Sequence, residues 1–275
     1  MGEKDTRGEH LTSLAEKLRI SEGRLFSTAV TLFSLLAFYL VSAHDQAYRL
    51  FTTDSNEVIR AAFGFLAVLL GVVVVLALAG NVRALRVSRS HVRVAALSGL
   101  GFFVLSGIAQ LAGATEVVLW QEMLFTGVSL APVTAFGFKL LAVAVAEEFF
   151  FRGVLYWWQT RVRKQQLTAI LLVQGVVFSL FHFYGVMKTP SALEGALVVL
   201  LFALLGSSLA LVRRLSGSVF APVMAHFGWN VSIAIVQPGT HLNSLVHNVA
   251  IAASLTFVLL LLARRGETGR NTAHE

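Results

Sequence analysis

The sequence predicts an all-α fold, a polytopic bundle of transmembrane helices. Of the 275 residues, 56% are hydrophobic and only 13% are charged, and the mean hydropathy is +0.74. A soluble domain carries about 25% charged residues. The apolar residues also group into runs close to the length of about 20 residues that crosses a bilayer core. Because backbone groups in lipid must be bonded within their own segment, such runs predict helices rather than strands.

About eight runs are long enough to span a membrane. In chain order, the predicted spans cover residues 26–43, 58–79, 93–113, 133–158, 167–187, 193–212, 217–236 and 245–263. The fourth is long enough to tilt or to extend past the bilayer. The stretch 114–131, which contains Glu116 and Trp120, predicts an interfacial amphipathic segment.

Basic residues predict the orientation of the bundle. Most of the 22 Lys and Arg residues lie on one side of the predicted membrane, in the two terminal segments and in alternate loops, whereas the other side has only Arg49, Arg60 and Lys188. Cytoplasmic loops carry the excess of basic residues, so both termini are predicted to be cytoplasmic. The net charge of +7 follows from this asymmetry. Scattered basic residues do not form one face, and nucleic acid is therefore not expected as a partner.

The pattern divides the chain into four segments. Residues 1–25 form a charged cytoplasmic segment, 26–129 the N-terminal transmembrane helices, 130–236 a core that holds polar residues within its spans, and 237–275 the last helix with a short basic tail. The chain contains no cysteine, which excludes disulfides, thiol catalysis and cysteine metal sites.

Polar residues inside the spans mark the candidate functional site. An ionisable residue in a membrane helix costs about 2.5–3.5 kcal/mol on insertion scales, so each is a functional candidate. The candidates are Glu147, Glu148 and Arg152 in the fourth span, His182 in the fifth, and His226 and Asn230 in the seventh.

Helix geometry separates the two glutamates. Glu148 and Arg152 are four residues apart, share a face and are expected to pair. Glu147 lies about 100° around the helix from Glu148 and has no such partner on its own helix. Glu147 is therefore the carboxylate expected to be available for chemistry.

The histidines show the same four-residue spacing. His226 and Asn230 present an imidazole and a carboxamide on one stripe, and Phe178 gives His182 an aromatic neighbour. Any one of these residues alone is more typical of interhelical hydrogen bonding than of a site. Two glutamates, two histidines and an asparagine within three spans instead favour a general-base site with oxyanion donors.

The three motifs together resemble the CPBP family. They are Glu147-Glu148-x-x-x-Arg152, Phe178-x-x-x-His182 and His226-x-x-x-Asn230, each on its own predicted helix, within residues 130–236. The family comprises type II CAAX prenyl endopeptidases and bacterial bacteriocin-processing or self-immunity proteins. The resemblance covers under half of the chain.

The resemblance implies an intramembrane endopeptidase of the glutamate type. By analogy Glu147 is the general base on a water molecule and is assisted by His182, while His226 and Asn230 donate to the oxyanion. Glu148, Arg152 and Phe178 would support the site. The implied partners are membrane lipid and a peptide or protein substrate, including a lipidated or membrane-anchored tail. The family's distribution and the compact chain indicate the bacterial inner (cytoplasmic) membrane.

Two alternatives remain open at this stage. Glu147, His182 and His226 have the composition of a His₂Glu zinc site with an open fourth position, although metal-free water activation is the favoured interpretation. A non-enzymatic membrane protein, such as a transporter, scaffold or immunity protein, is the second class. Transporters often show inverted repeats, whereas the polar residues here concentrate in spans four, five and seven.

Overall fold

A computed structural model describes most of the second half of the chain. The described residues are 89–113, 118–119, 137, 140–141, 143–187, 189–237 and 241–271. The charged segment 1–25 and the predicted spans 26–43 and 58–79 lie outside them, as does most of the interfacial segment 114–131. The described part is almost entirely helical, which confirms the predicted fold class for this region.

The helices follow the predicted spans closely. They are α1 Arg89–Gly113, α2 residues 143–162, α3 Leu167–Phe181, α4 Phe183–Met187, α5 Ala192–Ser216, α6 Phe220–Ile235 and α7 His241–Asn271. Two short strands, β1 Val118–Leu119 and β2 Val236–Gln237, pair antiparallel, with Val118 opposite Gln237. This pair ties the segment after α1 to the end of α6.

Three of the described helices are long and apolar enough to cross a membrane. The qualifying stretches are Ser90–Leu111 in α1, Ala192–Ser216 in α5 and Leu242–Arg265 in α7. Helix α3 is apolar but shorter, at 15 residues. These helices support an integral membrane protein.

The fifth predicted span, 167–187, is wrong as a single helix. The helix breaks at His182, which has φ −91° and ψ 11° and separates α3 from α4. The backbone N–H of His182 donates to both Phe178 O at 3.3 Å and Ser179 O at 3.1 Å. The imidazole Nδ1 lies 2.8 Å from the same Phe178 carbonyl. A side chain that bonds a carbonyl in the last turn competes with continuation of the backbone ladder.

Close glycine contacts set how the helices pack. Helix α1 packs against α6 and α7, and α5 packs against α3 and α7. A Cβ atom added at Gly228 of α6 would overlap the carbonyl oxygen of Gly99 in α1, and one at Gly206 of α5 would lie 2.8 Å from Phe178 Cβ in α3. Helices in lipid are not driven together by burial from water, so their association depends on close packing. Small residues allow that packing, because they let the backbones approach each other.

Helix α2 contains two π-helical stretches, Phe149–Leu155 and Trp158–Val162. In the first, the backbone N–H of Tyr156 donates to Phe151 O, five residues back. The whole stretch Phe149–Leu155 is buried, and it packs against α3 and α5. Such wide turns are rare and often accompany functional sites; this one begins directly after the two glutamates.

Candidate active site

Three helices bring the predicted site residues together. Helix α2 carries Glu147 and Glu148, the end of α3 carries His182, and α6 carries His226. The two glutamates and His226 are buried, and the side chain of His182 is 21% exposed. The centre is therefore enclosed, and His182 is its most accessible member among these four.

Glu148 and Arg152 form the predicted ion pair. Arg152 Nη1 donates to Glu148 Oε1 at 2.7 Å, and neither side chain is exposed. The second guanidinium nitrogen, Nη2, donates to the carbonyl of Gly206 at 2.7 Å. The guanidinium also lies 4.8 Å from the centre of the Phe178 ring. Arg152 thus joins α2 to α3 and α5.

His226 bonds to the same carboxylate oxygen. Its Nδ1 lies 3.0 Å from Glu148 Oε1, in a contact between α6 and α2. Because a carboxylate oxygen accepts, Nδ1 carries the proton and donates. In neutral His226 the lone pair is then on Nε2. Glu148 therefore fixes which nitrogen of His226 faces the rest of the site.

Glu147 faces both histidines. Its Oε2 lies 3.7 Å from His182 Nε2 and 4.0 Å from His226 Nε2. The same oxygen is buried and has no hydrogen-bond partner among the described residues. Buried carboxylate oxygens in proteins are nearly always bonded, so one that is not requires an explanation such as a water molecule or an ion.

Aromatic rings hold His182 in place. Its imidazole stacks on Phe202 with a centroid distance of 4.1 Å and an angle of 18°, and it lies 4.5 Å from Phe178. The bond between Nδ1 and Phe178 O requires Nδ1 to donate, since the carbonyl accepts. Neutral His182 therefore also presents the lone pair of Nε2 towards Glu147. The predicted aromatic neighbour, Phe178, is confirmed.

Asn230 lies one turn after His226 on α6 and is half-buried. Residues four apart share a helix face, so the carboxamide and the imidazole occupy one stripe. The helix thus keeps the two residues one turn apart, and the placement of Asn230 in the site and its role stay predictions.

Sequence analysis missed two groups that contact the site helix. Gln174 of α3 is fully buried, and its Nε2 donates to Phe151 O at 2.9 Å and to Gln159 Oε1 at 2.8 Å. The position of this amide in the middle of an apolar span could have identified Gln174 as a candidate. Arg213, one residue beyond the predicted span 193–212, lies in the last turn of α5 and donates from Nε to Arg152 O at 3.2 Å. No sequence pattern pointed to that contact.

The zinc alternative can be compared with this geometry. Two imidazole Nε2 atoms and a carboxylate oxygen have the right donor chemistry, and both Nδ1 atoms already donate elsewhere, as in histidine metal ligands. A tetrahedral site with bonds of 2.0–2.2 Å separates its ligand atoms by about 3.4 Å, less than the 3.7 and 4.0 Å between Glu147 and the histidines. Within the described part of the chain, no group of three potential ligand residues is arranged to hold a metal ion.

The fold and the site define a helical membrane protein with a buried carboxylate–imidazole centre. Residues 129–232 match the family model described as "Type II CAAX prenyl endopeptidase Rce1-like". This part of the chain is therefore similar to that family, which confirms the resemblance to the CPBP family that the three motifs predicted. Comparison with curated proteins and with solved structures gives no match. The division of the chain into four segments stays a prediction.

Proposed function

We propose that the protein is an intramembrane endopeptidase in which Glu147 activates a water molecule. The observation that carries this proposal is the buried Oε2 of Glu147, which has no hydrogen-bond partner in the described part of the chain and faces two imidazole nitrogens at 3.7 and 4.0 Å. A water placed between these groups would donate one hydrogen bond to Glu147 Oε2 and the other to the Nε2 lone pair of His182. The Rce1-like match supports the reaction class.

In the first step the water oxygen attacks the scissile carbonyl carbon while Glu147 Oε2 accepts a proton from the water. The new C–O bond forms as the carbonyl electron pair moves onto its oxygen. The O–H that stays on the water oxygen donates a hydrogen bond to His182 Nε2, which orients the attacking lone pair. A base within hydrogen-bond reach of the proton it removes contributes about 10²–10⁴-fold in rate.

His226 and Asn230 stabilise the oxyanion. Because His226 Nδ1 already donates to Glu148, its Nε2 donates only when the ring is an imidazolium. The carboxylate of Glu148 stabilises that charge. The Asn230 amide supplies the second donor. In the final step the C–N bond breaks, and the leaving nitrogen takes the proton held by Glu147. Preorganised donors of this kind are worth about 10²–10³-fold each.

The substrate and its setting follow from the membrane location. A peptide bond must reach a centre enclosed by helices, so the substrate is a peptide or protein segment at or within the bilayer. A lipidated or membrane-anchored tail fits that requirement. The description of the matching family, a prenyl endopeptidase, supports a tail of this kind. The arrangement of about eight spans with both termini in the cytoplasm, within the bacterial inner membrane, belongs to this proposal.

We propose metal-free activation of the water, with zinc as the alternative. In the zinc version Glu147, His182 and His226 would hold the ion, which would lower the pKa of its bound water. Metal analysis of purified protein separates the two. Stoichiometric zinc that disappears in His182→Ala would establish the zinc version.

Comparison of membrane and secreted proteomes tests the function itself. Cells that express the wild type are compared with cells that express Glu147→Gln at the same level. The expected result is one or more membrane proteins that lose a terminal segment only with the wild type. Purified protein is then given a farnesylated CAAX peptide in bilayer vesicles. Identical proteomes, with no cleavage of the peptide, would favour a non-enzymatic immunity or transport role instead.

A further inference from the structure

The π-helical stretch Phe149–Leu155 is held by side chains from two other helices. Gln174 of α3 donates to Phe151 O at 2.9 Å, and Arg213 of α5 donates to Arg152 O at 3.2 Å. These are two consecutive carbonyls of the same wide turn. A side-chain donor that inserts into the backbone ladder is a recognised cause of such local departures from the α-helix.

The Gln174 contact belongs to a buried chain of amides. Gln174 and Gln159 are both fully buried. Gln174 Nε2 bonds Gln159 Oε1 at 2.8 Å, and Gln159 Nε2 bonds Gln165 Oε1 at 3.0 Å. This chain of bonds links α3 to the second π-helical stretch at Gln159 and to the connection that follows α2 at Gln165. Burying an amide costs free energy unless it is hydrogen-bonded. Apolar side chains would fill the same space without that cost, so these amides indicate a role other than packing.

The wide turn sets the position of Arg152 relative to the two glutamates. Glu147 and Glu148 come directly before it, and Arg152 lies within it. If the turn became α-helical, its backbone hydrogen bonds would join residues four apart instead of five, and the turn would contain one residue fewer. That change would rotate the residues on one side by up to about 100° against those on the other. Arg152 would then leave either Glu148 or the Gly206 carbonyl, both of which it bonds at 2.7 Å.

We infer that Gln174 and Arg213 are positioning residues, which act through the carbonyls of Phe151 and Arg152 to hold Glu148 against His226. Neither is one of the groups to which the proposed reaction assigns a chemical role. They fix the turn, the turn fixes the Glu148–Arg152 pair, and the pair fixes the oxygen that accepts from His226 Nδ1. The consequence for catalysis rests on the proposed function, whereas the positioning itself does not.

The test uses the full chain in bilayer vesicles with ¹⁵N-labelled histidine. Eight histidines are present, and the signals of His226 are assigned by their loss in His226→Gln. In Gln174→Met, which is close in volume but cannot donate, the Nδ1–H signal of His226 should shift or split as Glu148 Oε1 moves. Ser207→Ala is the control, because it removes a 3.1 Å bond from α5 to Leu171 O of α3 without touching α2.

The kinetic arm separates positioning from a loss of stability. With the farnesylated CAAX peptide, Gln174→Met should lower kcat roughly 10- to 100-fold with KM unchanged, since a small misplacement of catalytic groups has that effect. Ser207→Ala should have the same melting temperature as Gln174→Met but the kcat of the wild type. If the wild type does not cleave the peptide, the proposed function fails on that substrate while the His226 signal still decides the positioning.

Arg213→Lys provides a second variant if Gln174→Met does not fold. It keeps the charge at the end of α5 but loses the Nε donor to Arg152 O. The expected result is the same direction of change in the His226 signal. An unchanged His226 signal in both variants, with melting temperatures lowered as in Ser207→Ala, would overturn the inference and leave the two residues with a packing role alone.

Discussion

Glu148 and His226, which lie on different helices and 78 residues apart, are joined by a 3.0 Å hydrogen bond from Nδ1 to Oε1. The same oxygen accepts from Arg152 at 2.7 Å. One carboxylate thus links the charge of Arg152 to the orientation of an imidazole that faces Glu147. The Oε2 atoms of both glutamates are buried and have no hydrogen-bond partner among the described residues, but the two side chains differ at the other oxygen, because Glu148 Oε1 accepts from two donors.

We expect Glu148→Gln to destabilise the protein strongly. The change leaves the guanidinium of Arg152, which is not exposed, without its anionic partner. Breaking a buried ion pair by removing one partner costs about 3–5 kcal/mol. Denaturation in detergent micelles measures the loss. The double variant Glu148→Gln/Arg152→Met should recover most of the stability, because no charge is left unpaired, but should not recover cleavage.

Glu147→Gln should abolish cleavage and leave folding intact. The substitution preserves volume but removes the base, and Glu147 Oε2 makes no hydrogen bond with the described residues that the change would break. Cleavage and the melting temperature are measured on the same preparation. Glu194→Gln, at the first turn of α5, makes the same chemical change away from the site and should leave cleavage as in the wild type. Wild-type turnover by Glu147→Gln would end the assignment.

His226 and Asn230 should behave as a unit. Each single alanine variant is expected to lose most of the activity, and the double variant little more, because residues that act together in one step are non-additive. His247→Ala is the matched control: His247 is exposed, and its Nδ1 lies 2.7 Å from Asn243 O of its own helix. Losses that add fully in the double variant would indicate separate structural roles.

Gly228→Ala should weaken the contact between α1 and α6. A Cβ there would overlap the carbonyl of Gly99, so the helices must separate. Overpacking of this kind costs about 1–3 kcal/mol. Gly101→Ala is the control, since nothing lies within 4 Å of its Cβ position, and its effect should stay within about 1 kcal/mol of the wild type. Equal melting temperatures for the two variants would contradict the proposed contact.

Spacing along one helix was enough to predict local pairs. Glu148 and Arg152 pair as expected, and Phe178 lies against His182. These contacts depend on the 3.6-residue period alone. The predicted spans likewise located α1, α5, α6 and α7, because long apolar runs leave few alternatives in a membrane.

Contacts between helices could not be predicted from residue spacing along one helix. The bond from His226 to Glu148 depends on how α6 is placed against α2, and a period along one chain carries no such information. The break at His182 arises because its own ring takes a carbonyl of the last turn. The π-helical turn depends on donors from α3 and α5. The His226 bond and the wide turn thus depend on tertiary hydrogen bonds, whereas the break depends on a side-chain bond to the preceding turn.

The Gly99–Gly228 contact also fixes the position of one side of the site. Backbone lies against backbone there, two residues from His226, so no side-chain rotation can change the distance between α1 and α6 at this level. His182 is held differently, because it lies between two helices, the second of only five residues. Its ring is fixed by Phe202 and by the Phe178 carbonyl. The position of His226 is thus set by backbone contact, and that of His182 by side chains.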